Sequence, residues 1–301
     1  MSLEAEIRQL KEERNAVLLA HNYEIPEVQD AADYVGDSLY LSRKAVEDPR
    51  PVIVFAGVRF MAETAKILNP SKTVLLPDLK AGCSLADAIT ADQVRTWKRQ
   101  FPDAVVVAYV NTSAEVKAES DYCCTSSNAV RIVNSIPADR EILFLPDMFL
   151  GEYVRQQTGR RMHLWVGDCH VHARLRPEEI AQARTDHPNA PVVIHPECGC
   201  ASRALPYVDR VLSTDGMVRF AKETHDPEVI VATEIGILHR MRQLNPQTKF
   251  IPLSDGAICP FMKETDLTDI RDALAQMRYV IDVPPDVAAR ARRALERMVA
   301  S

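Results

Sequence analysis

The sequence predicts an α/β fold: three Rossmann-like αβα units, each with a parallel sheet, related by a pseudo-three-fold axis. Three observations predict it. Short Val/Ile/Leu runs alternate with helical segments along the chain, as parallel strands buried on both faces do. A cysteine then recurs at one place in each third: Cys83, Cys169 and Cys259 lie 86 and 90 residues apart, each past an apolar run and a turn. Finally, each third has a ring residue at a strand end and a hydroxyl residue 17 to 19 positions later. Self-similarity at a fixed period is an architectural signal before it is a functional one. The units are expected at residues 1–84, 85–171 and 172–283, with a C-terminal helix, 284–300, packing back on the first.

The elements follow in order. Residues 3–14 read as a charged helix with Ile7 and Leu10 at helical spacing. Strand 16–20 leads to a helix near 26–33, where Pro26 suits the first turn. A short strand at Tyr34-Val35 precedes a helix starting near Ser38, and strand 52–56, helix 60–68 and strand 73–76 complete the unit. The second unit repeats this with strands near 104–109, 141–145 and 162–166, the third with strands near 191–195, 229–233 and 249–252. The last segment is an amphipathic helix with arginines on its outer face.

Composition narrows the function. The chain has 301 residues, 47% hydrophobic and 26% charged, as soluble globular proteins do. No apolar run approaches the roughly 20 residues of a membrane span, and the charged N-terminus lacks the apolar core of a signal peptide. A cytoplasmic location with no membrane partner is therefore expected, with seven cysteines serving as metal ligands or reactive groups and not as disulfides. Net charge is −6 without a basic run, so nucleic acid is not an expected partner.

The repeat also locates the chemistry. The strand ends read His21-Asn22-Tyr23, Tyr109-Val110-Asn111 and His195-Pro196-Glu197. Ligands of parallel α/β sheets collect beyond the carboxyl ends of strands, so these loops and the three cysteines can face one centre. Ser38, Ser126 and Thr214 stand where helices are expected to begin. A lone hydroxyl there is an ordinary N-cap, but three at matched positions point to anion contacts at helix N-termini. Three thiolates from three units leave an open coordination position. Zinc would take a fourth ligand, for which His170 or His172 is at hand, whereas a cubane cluster held by three cysteines keeps one iron free. Cys123-Cys124 and Cys198-Gly199-Cys200 have no counterpart in the other units and read as buried or incidental thiols.

These residues resemble the quinolinate synthases, iron–sulfur enzymes of NAD biosynthesis. The resemblance spans essentially the whole chain. It is carried by Ala20-His21-Asn22-Tyr23, Gly36-Asp37-Ser38, Tyr109-Val110-Asn111, Cys169-His170-Val171-His172, His195-Pro196-Glu197-Cys198, Ser213-Thr214 and Cys259-Pro260-Phe261-Met262-Lys263. Leu212 stands where the family usually has glycine. The resemblance implies three units about a [4Fe–4S] cluster bound by Cys83, Cys169 and Cys259. It also implies condensation of iminosuccinate with dihydroxyacetone phosphate to quinolinate, releasing phosphate and two waters. Tyr23, Glu197 and Tyr109 would be catalytic, and His21, Ser38, Tyr109, Val110, Asn111, Ser126, His195, Pro196, Glu197 and Thr214 would bind substrate. Functional coupling to an aspartate-oxidising enzyme that supplies iminosuccinate is a further expectation. Two other classes fit the thiolates: an aconitase-like hydro-lyase, which needs no phosphate site, and a non-enzymatic iron–sulfur sensor or carrier, which needs no ring residues at strand ends.

Overall fold

The protein, described here by a computed structural model over residues 2–200 and 207–301, contains three four-stranded sheets, every strand pair parallel. The first sheet holds β1 (Ala16–His21), β2 (Tyr34–Gly36), β3 (Val52–Ala56) and β4 (Thr73–Leu75) in the order β2-β1-β3-β4. The second holds β5 (Val105–Tyr109), β6 (Tyr122–Cys124), β7 (Ile142–Leu145) and β8 (Met162–Leu164) in the order β6-β5-β7-β8. The third holds β9 (Val192–Ile194), β10 (Arg210–Val211), β11 (Glu228–Ala232) and β12 (Lys249–Pro252) in the order β10-β9-β11-β12. One topology is thus drawn three times. Strands β6 and β10 were not expected; three and two residues long, they carry too little apolar pattern to stand out.

Register follows burial. β1 pairs with β3 from Ala16↔Val52 to Ala20↔Ala56, and both strands are buried along their whole length. Such strands are uniformly apolar because helices cover both faces. β5 and β7 pair likewise, with Phe144 fully buried; truncating such a side chain to Ala costs about 3–5 kcal/mol.

Helices fill the layers. α1 (Leu3–Arg14) begins at Ser2, whose hydroxyl accepts from the Ala5 amide. α3 (Ser38–Glu47) and α4 (Arg59–Leu68) pack together on the first sheet, α7 (Ala129–Ser135) and α8 (Met148–Thr158) on the second, and α10 (Thr214–Glu223) and α11 (Ile237–Leu244) on the third. The chain's end differs from the expected division. α12 (Leu267–Gln276), within 172–283, packs on α1, where the Arg14 guanidinium donates to the Leu274 and Ala275 carbonyls. Residues 279–281 then bond to the edge of β4, with the Ile281 amide donating to the Val74 carbonyl at 2.8 Å. The C-terminal helix α13 (Pro285–Ala300) lies mainly on β6 and α6 (Ala114–Ala118) of the second unit, and on α4 and α3 of the first. It bridges the two units and does not simply return to one.

Candidate active site

The central strands end at one enclosed cavity. His21 and Tyr23 follow β1, Tyr109 and Asn111 follow β5, and His195 and Glu197 follow β9; all six line it. So do Cys83, Cys169 and Cys259, and Ser38, Ser126 and Thr214. Twelve of the fourteen expected site residues therefore converge. Val110 and Pro196 do not line the cavity; Val110 is buried behind it, its amide donating to the Cys124 carbonyl at 2.8 Å.

The repeated pattern of ring residue, any residue and polar residue has a local cause in two units. The Tyr23 amide donates to His21 Nδ1 at 3.2 Å, and the Glu197 amide donates to His195 Nδ1 at 3.4 Å. With Nδ1 accepting, each ring carries its proton on Nε2. His195 Nε2 points to Ser126 Oγ at 3.2 Å. Burial pushes both histidines down to about 3, so they are neutral donors at ordinary pH.

Between them runs a hydrogen-bonded chain. The Tyr23 hydroxyl lies 2.5 Å from Thr233 Oγ1, which lies 2.8 Å from His172 Nε2. His172 Nδ1 lies 3.0 Å from Glu197 Oε2 and 3.2 Å from Cys169 Sγ. The Tyr109 hydroxyl donates to Glu197 Oε1. Burial pushes Glu197 up, but His172, His195 and Tyr109 outweigh it and hold the carboxylate down at about 2. Burial likewise pushes His172 down, yet Cys169 and Glu197 hold it up at about 10. Burial raises the Tyr23 phenol well above its ordinary range. The chain therefore joins a protonated phenol to a charged His172–Glu197 pair.

The cavity's hydroxyls are where the expected N-caps are corrected. The α3 cap is Asp37, accepting from the Tyr40 amide at 2.8 Å, and the α10 cap is Ser213, accepting from the Gly216 amide at 3.2 Å. Ser38 and Thr214 are first helical residues whose hydroxyls are not used as caps. Ser126 stands in the turn before α7, which begins at Ala129. Ser127 Oγ lies 2.6 Å from Asp37 Oδ2 and 2.9 Å from Ser213 Oγ, tying the three units together.

The cysteines line the same cavity. All three are free thiols; burial raises each of them, Cys83 to about 12. A buried neutral thiol loses its proton readily only to a metal. Among the described residues, Cys169, His172 and Glu197 are the ligand-type group whose atoms lie within 4.8 Å of one another. The three sulfurs are not so close, which suits a multi-iron cluster with each thiolate on its own iron better than one shared ion. In this sense the donor set fits a cluster. His170 does not line the cavity; its Nδ1 lies 2.6 Å from Ser84 Oγ.

A second carboxylate braces the Cys259 loop. Glu234 Oε1 accepts from the Cys259 amide at 3.1 Å and from Lys263 Nζ at 2.9 Å, and Oε2 accepts from the Gly236 amide at 2.7 Å. Lys263 also donates to the Tyr23 carbonyl. Only glycine fits at 236, where a Cβ would meet the Tyr23 carbonyl oxygen at 2.7 Å and Lys263 Nζ at 2.8 Å. Elsewhere, Cys198 and Cys200, expected as thiols, are joined as a disulfide across Gly199; their Cα atoms are 5.2 Å apart, within bridging range. Cys123 and Cys124 are buried free thiols.

The sequence reading missed Thr233 and Glu234, and it weighed His172 only as a zinc ligand. Thr233 and Glu234 sit one and two residues past β11, the kind of position that marked the other site residues. Their place just past a strand end is the signal that marks them.

The family model described as "Quinolinate synthetase A protein" matches residues 5–300. A quinolinate synthase of Thermus thermophilus is 55% identical over 302 residues, covering 99% of this chain and 97% of that protein. One from Mycobacterium sp. (strain KMS) is 54% identical over 98% of this chain and 90% of its own length. Another from Mycobacterium tuberculosis is 51% identical, at 98% and 87%. With such agreement along nearly the entire length, the chain belongs to the quinolinate synthetase A family.

Proposed function

We propose that the protein is a quinolinate synthase of NAD biosynthesis. It condenses iminosuccinate with dihydroxyacetone phosphate to quinolinate, releasing one phosphate and two waters. The observation that carries this is a single cavity lined together by three free cysteines, three hydroxyls from helix starts and turns, two tyrosines and a glutamate. Each of the units 1–84, 85–171 and 172–283 supplies one cysteine, and Cys83, Cys169 and Cys259 would hold a [4Fe–4S] cluster. When bound, the cluster supplies a Lewis-acidic iron that polarises a substrate oxygen and so assists dehydration.

The chain's own groups do the rest. Ser38 and Thr214, at the starts of α3 and α10, offer hydroxyls beside backbone N–H groups, which suits carboxylate and phosphate. Neutral His21 and His195 donate from Nε2 without adding charge, and Asn111 orients a substrate oxygen. Val110 and Pro196 shape the strand ends from behind. Glu197 is the general base on grounds of position: it is buried just past the end of β9, lines the cavity and accepts from the Tyr109 hydroxyl. The Tyr23 phenol delivers or takes a proton at the reacting carbons, relayed through Thr233 and His172. Functional coupling to an aspartate-oxidising enzyme would supply the iminosuccinate.

Anaerobic reconstitution with iron and sulfide, followed by a quinolinate assay, tests this. Fully loaded protein that forms no quinolinate from the two substrates would leave the hydro-lyase or the sensor. A second reading, one ion at Cys169, His172 and Glu197, is favoured by the convergence of their ligand atoms. Metal analysis that finds one zinc and no sulfide would select it.

A further inference from the structure

The substrates proposed above carry three anionic groups, yet among the described residues no lysine or arginine lines the cavity. The positive charge lies just outside. Arg43, Arg131 and Arg219 each follow a site hydroxyl, Ser38, Ser126 or Thr214, by five residues. On α3 and α10, five residues are about 7.5 Å of rise and about 140° of rotation, so the hydroxyl faces the cavity while the arginine faces away. All three arginines line one surface cleft, together with Ser127, Asp37 and Asp215. Asp37 lines both spaces, and Ser127, which lines the cleft, bonds to Asp37 and Ser213.

The three arginines are not equally engaged. Arg43 is half-buried and donates to the Val299 and Ser301 carbonyls, leaving Nη1 unused. Arg219 is exposed, with its Nε 3.5 Å from Asp215 Oδ2. Arg131 is exposed and has no hydrogen-bond or ion-pair partner among the described residues. Asp37 spends its carboxylate on the α3 cap and on Ser127. A second cleft abuts the cavity near Cys83, and its charge is opposite: Arg59 faces Glu63, Asp87 and Glu115. Of the two clefts beside the cavity, only the arginine-lined one can attract an anion.

We propose that this cleft is a second anion-binding site, outside the cavity, that takes a phosphate group, free or esterified. Among the described residues, Arg131 is its unpaired ligand, Arg219 an exposed one shared with Asp215, and Arg43 its fixed one; guanidinium suits phosphate by its paired N–H geometry. Its link to turnover rests on the proposed reaction, which consumes a phosphate ester and releases phosphate. Its existence as an anion site does not.

Calorimetric titration of the reconstituted protein, with quinolinate present to fill the cavity, tests it. Inorganic phosphate and glycerol 3-phosphate are the two probes, and a preference between them separates product release from substrate arrival. At least one should bind the wild-type protein, and at least tenfold more weakly the Arg131→Gln/Arg219→Gln variant. Arg59→Gln, in the acidic cleft, should bind as wild type. Binding should weaken as salt rises from 0.1 to 1 M, because the screening length falls from about 10 to about 3 Å. Failure of both probes to bind, or equal affinity in the double variant, would overturn the site. Arginine-dependent binding by a protein that makes no quinolinate would keep the site and remove the reading of the cavity.

Discussion

The cysteines and the hydroxyls that line the cavity come from the same repeat and suit opposite charges. Each unit contributes a thiol that burial pushes above its ordinary range, and a carboxylate–lysine pair braces the Cys259 loop. Ser38 and Thr214 stand at helix starts, with arginines on the outer face. The thiols suit a soft cation, the hydroxyls a hard anion. Position in the repeat is shared, and residue choice at each position sets the chemistry.

The strongest way to break the comparison is to remove a thiol. Cys83→Ser, Cys169→Ser or Cys259→Ser should each abolish normal cluster assembly, whereas Cys123→Ser should leave iron and sulfide near about four each per chain. Full iron content in the Cys169 variant would show that the cysteines are not a ligand set.

Within the cavity, Tyr23→Phe deletes one hydroxyl and keeps the ring. Quinolinate formation should fall by at least about a hundredfold at unchanged iron content, since positioned proton transfer contributes about 10²–10⁴-fold. Thr233→Val should act in the same direction by interrupting the path to His172. Normal turnover in both would make the hydrogen-bonded chain a packing feature.

Among the hydroxyls, Ser38→Ala, Ser126→Ala and Thr214→Ala should each weaken quinolinate binding by about 1.5–3 kcal/mol, as for hydrogen bonds to charged groups. Asp37 and Ser213 keep their caps in these variants, so melting temperatures should hardly move. A large stability loss with unchanged affinity would reverse the assignment of cap and ligand. The smallest effect concerns pH. His21 and His195 are held neutral, with folded pKa values near 3 and ordinary unfolded ones near 6.5. The unfolded chain therefore binds more protons between those limits; stability from these groups is full above about pH 6.5 and lost as pH falls toward 3. Each of His21→Gln and His195→Gln should flatten the acid limb of denaturant-measured stability by up to about 1.4 kcal/mol per pH unit.

Much of this was legible in the sequence, for physical reasons that also mark the limits. Strand cores at 52–56 and 105–109 declare themselves because full burial demands uniform apolarity. The strand-end residues and cysteines are legible because a strand terminus dictates where the next side chain goes. The caps were misassigned because Asp37-Ser38 and Ser213-Thr214 each offer two capping residue types in succession, and the choice turns on one residue of backbone. The return of α12 to α1 was not legible, since its apolar stripe says only that something covers it. Thr233 and His172 were missed as a pair because their contact joins residues 61 positions apart.

Those separations have a consequence for how the protein comes into being. Tyr23 meets Thr233 across 210 residues, and Tyr109 meets Glu197 across 88. Each sheet pairs strands from within its own stretch, so it can form early and alone, but long-range contacts must wait for distant segments to arrive. The cavity needs all three stretches of chain at once. A chain halted during synthesis at residue 171 has eight of the twelve strands and two of the three cavity cysteines, but it lacks His195, Glu197, Thr214, Glu234 and Cys259, and so one wall of the pocket.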